Sequence, residues 1–394
     1  MTVPTIATPQ RILHVLYYYA PYTSGLTVYA ERLSRELVAR GHRVTVVCAR
    51  HDPELPHHEV LDGVDVYRLP VAAAASRAVI VPTLIPVSIN LLRNHDVLHV
   101  HLPLAEAAPL AATARLMRKR VIATHNADLD LADSAFERIG SAVALGSGVA
   151  GGRLSHRVLT NSHDRGRVSP LIRRLGRNVS VIAPPIEIPA PSSNACEAIR
   201  NRFDLGPGPV IGFVGRPVME KGIDVLADAI PALVERFPTV TIALAGPDRG
   251  TDGTPYCGPW DAQLARYSGA VRRLGPLSIQ DLADFYAACD VLVLPSTNWT
   301  ETFGMVQVEA MLCGTPVVAS DLPGVREPIA RTGMGRVARA GDSADLAAAL
   351  GDVISRREDF VVPEPDIRDR YSLKHTVDTY EAVYRGETGE PLER

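Results

Sequence analysis

The amino-acid sequence predicts an α/β protein made of two Rossmann-like, parallel-sheet domains. Apolar runs of strand length alternate with amphipathic helical stretches in the first half, and a second alternating set starts near residue 210. Such alternation is typical of crossover units and parallel sheets. A Pro-rich stretch from Ala183 to Pro191, followed by Ser-Ser-Asn at 192–194, separates the two sets and has the composition of a linker. Two such domains are expected to face a central cleft.

The periodicity places each element in order. The first set predicts strands at Arg11–Tyr19, His42–Ala49, Val64–Leu69, Asp96–His101, Arg120–Thr124, Arg157–Thr160 and Ser180–Ala183, with helices at Thr27–Arg40, 105–118 and 162–175. The second predicts strands at Val210–Val214, Val240–Ala245, Ala270–Leu274, Val291–Leu294 and Pro316–Ser320, with helices at 222–236, 278–288, 343–357 and Ser372–Arg385. We therefore predict domains at 1–185 and 201–371 around a linker at 186–200.

Length and composition argue against several classes of protein, including nucleic-acid-binding and membrane-spanning proteins. The chain has 394 residues, enough for about two to three domains with their own cores. A net charge of -3 with 22% charged residues gives no whole-chain signal for nucleic acid. The five Cys are scattered without a C-x-x-C pair, which favours reduced thiols in a cytoplasmic protein. We find no signal-peptide pattern and no run of the roughly 20 apolar residues that span a bilayer.

The stretch 291–327 joins two predicted strands through a short helix at about Phe303 to Leu312. Glu301 precedes this helix, so we expect it at the carboxyl end of a strand, where open α/β sheets bind ligands. Gly304 permits close approach to the backbone, and the first free amides of the helix can bind an anion. Glu309 interrupts an otherwise apolar helix, and a carboxylate there indicates a functional role.

The stretch FVGRPVMEKGIDVL at 213–226 brings two cations to another junction between strand and helix. Gly215 ends the strand, and Arg216 and Lys221 follow in the loop. Arg offers a planar fork of donors and Lys a point charge, a pair that suits a diphosphate. Solvated surface cations are the alternative interpretation.

Glu301 and Glu309 stand in the pattern S-x-x-x-x-E-x-F-G-x-x-x-x-E-A-M. The pattern closely resembles the acidic motif of the retaining family-four glycosyltransferases of the GT-B fold, and residues 213–226 are similar to the diphosphate-binding loop of that family. The resemblance covers nearly the whole chain and is most specific at 211–226 and 291–327. It implies the GT-B fold, with the final helix at 372–386 packed back on the first domain.

The resemblance also implies roles for the motif residues. Glu301 would contact the donor sugar, Glu309 the ribose hydroxyls of the nucleotide, and Arg216 with Lys221 the leaving diphosphate. Further donor contacts are expected from residues around these groups, namely Gly25, Gly215, Leu277, Phe303, Gly304, Met305 and Val306. No metal is then required, because Arg216 and Lys221 neutralise the diphosphate. No cofactor is required either, because the nucleotide diphosphate sugar is itself a co-substrate.

Two stretches of the first half complete the expected site. Ser24-Gly25 opens a helix whose first amides can meet a phosphate, although the family often has two glycines there. His125 ends a strand and matches the family's His that contacts the donor sugar, which adds it to Arg216, Lys221 and Glu301 as a catalytic residue. Asp128 and Asp130 imitate a D-x-D metal motif of a different fold, so we interpret them as coincidence or as acceptor contacts.

Features outside the motifs leave questions open. The basic runs at 115–120, 165–177 and Arg368 with Arg370 are interpreted as solvated helix faces, with contact to anionic lipid headgroups or a phosphorylated acceptor as the alternative. The loop DRGTDGTPYCGPW at 248–260 holds Tyr256 and Trp260, for which contact with a ligand or with another subunit stays open. Peripheral contact with the inner membrane face and the oligomeric state also stay open.

The expected function is retaining transfer of a hexose-type sugar from a nucleotide diphosphate sugar to the hydroxyl of a glycan, a lipid-linked or a small-molecule acceptor. A UDP-sugar is favoured as donor and GDP-mannose comes next. One alternative is a catalytically silent scaffold of the same fold, against which the intact acidic and basic motifs speak. The other is a nicotinamide-dependent oxidoreductase, which lacks support because no G-x-G-x-x-G follows a first strand.

Overall fold

The computed structural model of the chain describes residues 8–75, 78–128, 135–176, 178–250 and 254–392. The chain divides into two compact units, Met1–Pro185 with Leu373–Arg394, and Ile186–Ser372. Residues 186–200, where the composition suggests a linker, lie in the second unit. Ser192 donates from its amide and its hydroxyl to the Asp284 carboxylate at 2.7 and 2.9 Å.

The first 185 residues alternate strands and helices. In chain order they form β1 (Arg11–Val15), α1 (Gly25–Ala39), β2 (Arg43–Ala49), β3 (His58–Leu61), β4 (Val64–Leu69), β5 (Ala73–Ala75), β6 (Ala78–Ile80), α2 (Leu84–Leu92), β7 (Val97–Leu102), α3 (Ala107–Leu116), β8 (Arg120–His125), α4 (Ala135–Leu154), β9 (Arg157–Thr160), α5 (His163–Val168) and β10 (Val179–Val181).

The remaining residues repeat the alternation. They form α6 (Ala195–Arg202), β11 (Val210–Val214), α7 (Ile223–Arg236), β12 (Thr241–Ala245), α8 (Trp260–Arg266), β13 (Val271–Gly275), α9 (Ile279–Ala288), β14 (Val291–Leu294), α10 (Met305–Leu312), β15 (Val317–Ser320), α11 (Glu327–Thr332), β16 (Gly335–Ala338), α12 (Ser343–Ser355), α13 (Arg357–Phe360), α14 (Glu364–Arg370), α15 (Leu373–Arg385) and β17 (Glu390–Pro391). In the described residues, no helix combines the length and the apolar character that crossing a bilayer would require.

Each unit is built on its own largely parallel sheet. The first sheet has the order β17-β10-β9-β8-β7-β1-β2-β4-β3, and the second has the order β13-β12-β11-β14-β15-β16. The central strands are buried along their length, as expected when helices cover both faces of a parallel sheet. The prediction of two parallel-sheet α/β domains is confirmed.

Helix α15 packs on the first unit although it lies at the far end of the chain. The hydroxyl groups of its Tyr380 and of Tyr29 on α1 contact each other. Arg40, which follows α1, donates to the carboxylates of Asp378 and Glu381 at 2.6 and 3.1 Å. A buried aromatic contact and a half-buried ion-pair group thus hold the helix on this unit.

Two predicted elements differ from the structure. The strand predicted at Arg11–Tyr19 ends at Val15. The Tyr17 carbonyl still accepts from the Ala49 amide of β2 at 2.9 Å, and Tyr19 is buried in the core, so the apolar run continues beyond the regular strand. The helix predicted at 162–175 splits into α5 and a 3-10 turn at Ile172–Arg174. The physical cause is Pro170, because a proline lacks an amide donor and forces the residue before it out of the helical region. Ser169 accordingly has φ -57° and ψ 124°.

Candidate functional site

The carboxyl ends of β11 and β14 lie side by side where the strand order of the second sheet reverses. These two strands pair in parallel; β12 and β13 extend the sheet from one of them, β15 and β16 from the other. Ligands of open α/β sheets bind in the crevice outside such a reversal point. The two motifs predicted to bind the donor follow these two strands, so the sheet order brings them together.

Lys221 and Glu301 meet at this point. The Nζ atom of Lys221 contacts the Oε2 atom of Glu301, although the two residues are 80 positions apart. The side chains are 28% and 14% exposed, so the pair is half-buried and still reachable from solvent. An ammonium group has three donors, and the contact with Glu301 occupies one of them. The remaining donors can bind a phosphate oxygen.

Arg216 stands beside this pair in sequence, on the loop after β11. It is half-buried, and among the residues that the structure describes it has no carboxylate partner. Gly215 has φ 144° and nothing within 4 Å of the position that a Cβ would occupy, so a ligand has access to the backbone there. An unpaired cation beside an open backbone segment favours an anionic ligand.

Helix α10 begins at the same edge of the sheet. Gly304 is its N-cap with φ 74°, and the side chain of Gln307 ties the helix to the Val325 carbonyl at 2.9 Å. Glu309 is 4% exposed and accepts a hydrogen bond of 3.0 Å from the Tyr286 hydroxyl of α9. The carboxylate that the sequence singled out is therefore held in a fixed orientation by a neighbouring helix.

The other predicted donor contacts are distributed around α10. Met305 and Val306 in its first turn are half-buried, as is Leu277, which follows β13. Phe303 is buried, and its ring lies edge-on against Tyr371 at 5.9 Å between centroids. A donor contact from Phe303 would therefore come from its backbone and not from its ring.

In the first unit, Gly25 is the first residue of α1. The Ser24 hydroxyl caps this helix by accepting from the Thr27 amide at 3.2 Å. The amides of Gly25 and Leu26 lie in the first turn, where a helix provides no backbone partner. Anion binding by these amides stays a prediction.

His125 ends β8 and belongs to a buried network. Its Nε2 atom lies 3.1 Å from the Oδ1 atom of Asp128, which also accepts from the Ser169 hydroxyl at 2.8 Å, while Arg165 donates to Oδ2 at 2.7 Å. Burial raises the pKa of Asp128, but the bonds from His125, Arg165 and Ser169 outweigh it and bring that pKa below its ordinary value. The carboxylate engages the ring at Nε2, and Nδ1 is buried without a hydrogen-bond partner among the described residues.

The structure describes only one of the two aspartates that were predicted as possible acceptor contacts. Asp128 is bound within its own unit by the network around His125, so it orients that ring in addition to any contact with an acceptor. Asp130 lies outside the described residues. The basic run at 165–177 is not uniformly solvated, because Arg165 is 1% exposed and pairs with Asp128.

Sequence reasoning missed a pair at the reversal point of the first sheet, between β1 and β7. The Tyr17 hydroxyl donates to the Glu106 carboxylate at 2.8 Å and accepts from the Ala105 amide at 3.1 Å. Burial raises the pKa of both the tyrosine and the glutamate. These residues are 89 positions apart, and only the strand order brings them together.

A group of three buried histidines was also missed. His14, His99 and His101 present ring nitrogens within 4.8 Å of one another. The Nδ1 atom of His14 lies 3.1 Å from Nε2 of His101, and His99 bonds to the hydroxyls of Tyr384 at 2.8 Å and Thr124 at 2.7 Å. Burial lowers the pKa of all three rings, which keeps them neutral. The group joins the sheet to α15.

The loop at 248–260 has one aromatic group in the interior. Trp260 is 6% exposed and packs in the core of the second unit, which answers the open question for that ring. Tyr256 is half-buried, and its amide donates to the Asp248 carbonyl at 2.8 Å. Residues 251–253 lie outside the described part of the chain.

We expect Gly222→Ala to destabilise the second unit by about 2–4 kcal/mol. Gly222 has φ 69°, and an added Cβ would lie 1.8 Å from the backbone oxygen of Pro295. This clash can be relieved only if the loop that follows β14 shifts. Urea unfolding measures the change. Gly269→Ala is the control, because nothing lies within 4 Å of its Cβ position. Equal unfolding midpoints for the two variants would contradict this prediction.

Comparison with known proteins identifies the chain's family. A family model described as "Glycosyltransferase Family 4" matches residues 23–189, and one described as "Glycosyl transferases group 1" matches residues 208–356. The chain is 35% identical to the D-inositol 3-phosphate glycosyltransferase of Corynebacterium urealyticum. This match covers 45% of the chain and 42% of that protein, so it spans less than half of the relative. It is 28% identical to the enzyme of the same name from Geodermatophilus obscurus over 97% of its own length and 90% of that protein.

Solved structures show the same fold. The structure of Anabaena Alr3699/HepE in complex with UDP and glucose matches 95% of this chain and 99% of its own with a TM-score of 0.75 at 20% identity. Sucrose-phosphate synthase from Thermosynechococcus elongatus matches 95% of this chain and 98% of its own with a TM-score of 0.72 at 20% identity. The fold and the family predicted from the two motifs are confirmed: the chain belongs to the glycosyltransferases of the GT-B fold, with a family 4 domain over residues 23–189 and a group 1 domain over residues 208–356.

Proposed function

We propose that this glycosyltransferase moves a hexose-type sugar from a nucleoside diphosphate sugar to an acceptor hydroxyl, with retention at the anomeric carbon and without a metal ion. The observation that carries the proposal is the cationic group at the reversal point of the second sheet. Lys221, paired with Glu301, and Arg216, without a carboxylate partner in the described residues, lie where a nucleotide ligand of this fold class binds. Their charges match those of a diphosphate.

The proposed roles follow from the chemistry of each group. Arg216 and Lys221 stabilise the negative charge that develops on the departing diphosphate, helped by the first amides of α10 after Gly304. Glu301 binds hydroxyl groups of the sugar, and Glu309, oriented by Tyr286, binds the ribose hydroxyls. No cofactor other than the donor co-substrate belongs to the proposal.

His125 has a proposed role toward the donor sugar. Its Nε2 atom is engaged by Asp128, and its Nδ1 atom has no hydrogen-bond partner among the described residues. A ring nitrogen without a partner suits a sugar hydroxyl, which can donate or accept a hydrogen bond. Asp128 then acts on the sugar only through the orientation of the ring.

The proposed reaction is attack by the acceptor hydroxyl on the same face of the sugar from which the diphosphate departs. Both conspicuous glutamates are assigned to holding the donor, so neither serves as a nucleophile. The anomeric carbon passes through an oxocarbenium-like state, and the proton of the attacking hydroxyl goes to the departing phosphate oxygen. Catalysis rests on positioning and on stabilising the leaving group.

The comparisons guide the choice of substrates. The UDP complex of the Anabaena protein supports a UDP-sugar as the first donor to test, with GDP-mannose next. The relatives at 28–35% identity are named for D-inositol 3-phosphate, which makes a phosphorylated polyol the first acceptor to test. Glycan and lipid-linked acceptors follow.

A donor panel tests the proposal. We expect release of a nucleoside diphosphate from UDP-glucose, GDP-mannose or ADP-glucose in the presence of D-inositol 3-phosphate, and a product with the anomeric configuration of the donor by proton NMR. Because side chains supply the cations, excess EDTA should leave the rate within about twofold. Loss of activity with EDTA that Mg or Mn restores, or an inverted product, would contradict the proposal. Calorimetry separates the rivals: binding of NAD favours an oxidoreductase, and binding of no nucleotide favours a silent scaffold.

A further inference from the structure

A basic recess lies at the amino ends of β8 and β9 in the first unit. It encloses about 380 Å³ and is lined by Arg115, Arg118, Lys119, Arg120 and His156. Strand β8 runs from Arg120 at the recess to His125 at its other end, a separation of about 17 Å. The recess is therefore remote from the predicted sugar-binding residue of its own unit and belongs to a different edge of the sheet.

The charges of this recess are not balanced by acidic side chains. Within the described ranges, none of its four cations pairs with a carboxylate. Lys119 donates to the Arg93 carbonyl at 3.2 Å, and Arg120 donates to the Val383 carbonyl of α15 at 3.1 Å. The Asp96 carboxylate interacts electrostatically with Lys119, but its ion pair is with Arg11 at 2.8 Å. Neutral carbonyls position the cations without neutralising them.

His156 adds a donor to this group. Its Nδ1 atom accepts a hydrogen bond of 3.0 Å from the Val121 amide. Burial, and then the neighbouring Arg115 and Arg120, lower the pKa of His156, so the ring is neutral near pH 7 and carries its proton on Nε2. That atom faces a guanidinium nitrogen of Arg115. Two donors in direct contact repel each other, and an acceptor that binds both at once would relieve this repulsion.

Arg118 occupies a backbone position that favours glycine. It has φ 56° in the turn between α3 and β8. An arginine at such a position is uncommon, and its side chain lines the recess. Leu116 at the end of α3 is 85% exposed close by in sequence.

We propose that this recess binds a phosphate-type oxyanion through Arg115, Arg118 and the Nε2 donor of His156. The oxygens of such an anion would accept from both facing donors and neutralise the surrounding cations. A volume of about 380 Å³ lies in the range of small-molecule sites. The phosphate belongs to a soluble compound or to a phospholipid headgroup, and exposed Leu116 would add an apolar contact in the second case. The proposal does not depend on the donor site.

The first experiment titrates the whole protein, labelled at its histidine ring carbons, with inorganic pyrophosphate. The signal of His156, assigned with His156→Gln, reports only on this recess, so binding elsewhere does not interfere. We expect a saturable shift, at least tenfold weaker binding in Arg115→Gln, and at least threefold weaker binding in Arg118→Gly. The glycine variant removes the positive-φ arginine without harming the fold. Arg173→Gln, a change at an exposed arginine of the same unit, should stay within twofold.

The second experiment measures flotation with phosphatidylcholine vesicles that contain phosphatidylglycerol. Binding that Arg115→Gln and Leu116→Ser both weaken assigns the anion to a lipid headgroup. Saturable pyrophosphate binding without flotation assigns it to a soluble compound. The proposal is wrong if neither probe binds, or if Arg173→Gln weakens binding as much as Arg115→Gln does, because the effect would then be general surface charge.

Discussion

Lys221→Ala is expected to lower turnover with saturating donor by roughly 30- to 1000-fold, which corresponds to about 2–4 kcal/mol of lost transition-state stabilisation. The ammonium group would stabilise the diphosphate most strongly when the bond to the sugar breaks, so the loss should fall on kcat. The fold should remain intact, because the side chain is 28% exposed. Initial rates with the best donor of the panel measure the effect.

The contact between Lys221 and Glu301 demands a control for an indirect effect. Removing the lysine leaves a half-buried carboxylate unpaired beside the expected position of the phosphates. If Lys221 served only to neutralise Glu301, Lys221→Ala would cause no further loss of turnover in a Glu301→Gln background. Direct contact with the diphosphate predicts a similar large loss in that background. Lys374→Ala is the matched control, since that lysine is 80% exposed and pairs with Asp378 on α15. Activity of Lys221→Ala within twofold of the unaltered protein would rule out the assignment.

Glu309→Gln and Glu301→Gln are expected to affect different parts of the donor. A neutral amide keeps the shape of the side chain but loses a charge-assisted hydrogen bond, typically ~1.5–3 kcal/mol or roughly 10- to 150-fold. Glu309→Gln should weaken the free nucleoside diphosphate and the whole donor by similar factors. Glu301→Gln should leave nucleotide affinity unchanged and depress turnover. Calorimetry with the nucleotide and rates with saturating donor measure the two effects.

Tyr286 offers a control for the second carboxylate. Its hydroxyl orients Glu309 from α9, so Tyr286→Phe should weaken nucleotide binding in the same direction and by a smaller factor than Glu309→Gln. If Glu309 had only a structural role, Glu309→Gln and Tyr286→Phe would both lower the unfolding midpoint and leave nucleotide affinity unchanged. The assignment of separate roles to the two glutamates is wrong if Glu301→Gln weakens binding of the free nucleoside diphosphate as much as Glu309→Gln does.

Local sequence was sufficient to predict most elements of the fold. The alternation of apolar runs and amphipathic stretches marks burial, and burial on both faces identifies the central strands β7, β12 and β14. The errors arose where a local signal was overridden or weak. Pro170 divides the predicted helix at 162–175, and the aromatic residues after Val15 stay packed in or against the core beyond the end of the regular strand.

The sequence by itself also identified the two candidate donor motifs, because each lies within a short stretch of the chain at a junction between strand and helix. One holds Gly215, Arg216 and Lys221, and the other holds Glu301, Gly304 and Glu309. Tertiary structure alone decided which groups meet. The order β12-β11-β14-β15 joins Lys221 to Glu301, and the order β8-β7-β1 joins Tyr17 to Glu106. Periodicity reports whether a residue is buried but not which strand becomes its neighbour. Contacts between residues 80 or 89 positions apart, and the orientation of His125 by Asp128 and Arg165, therefore depend on the folded chain.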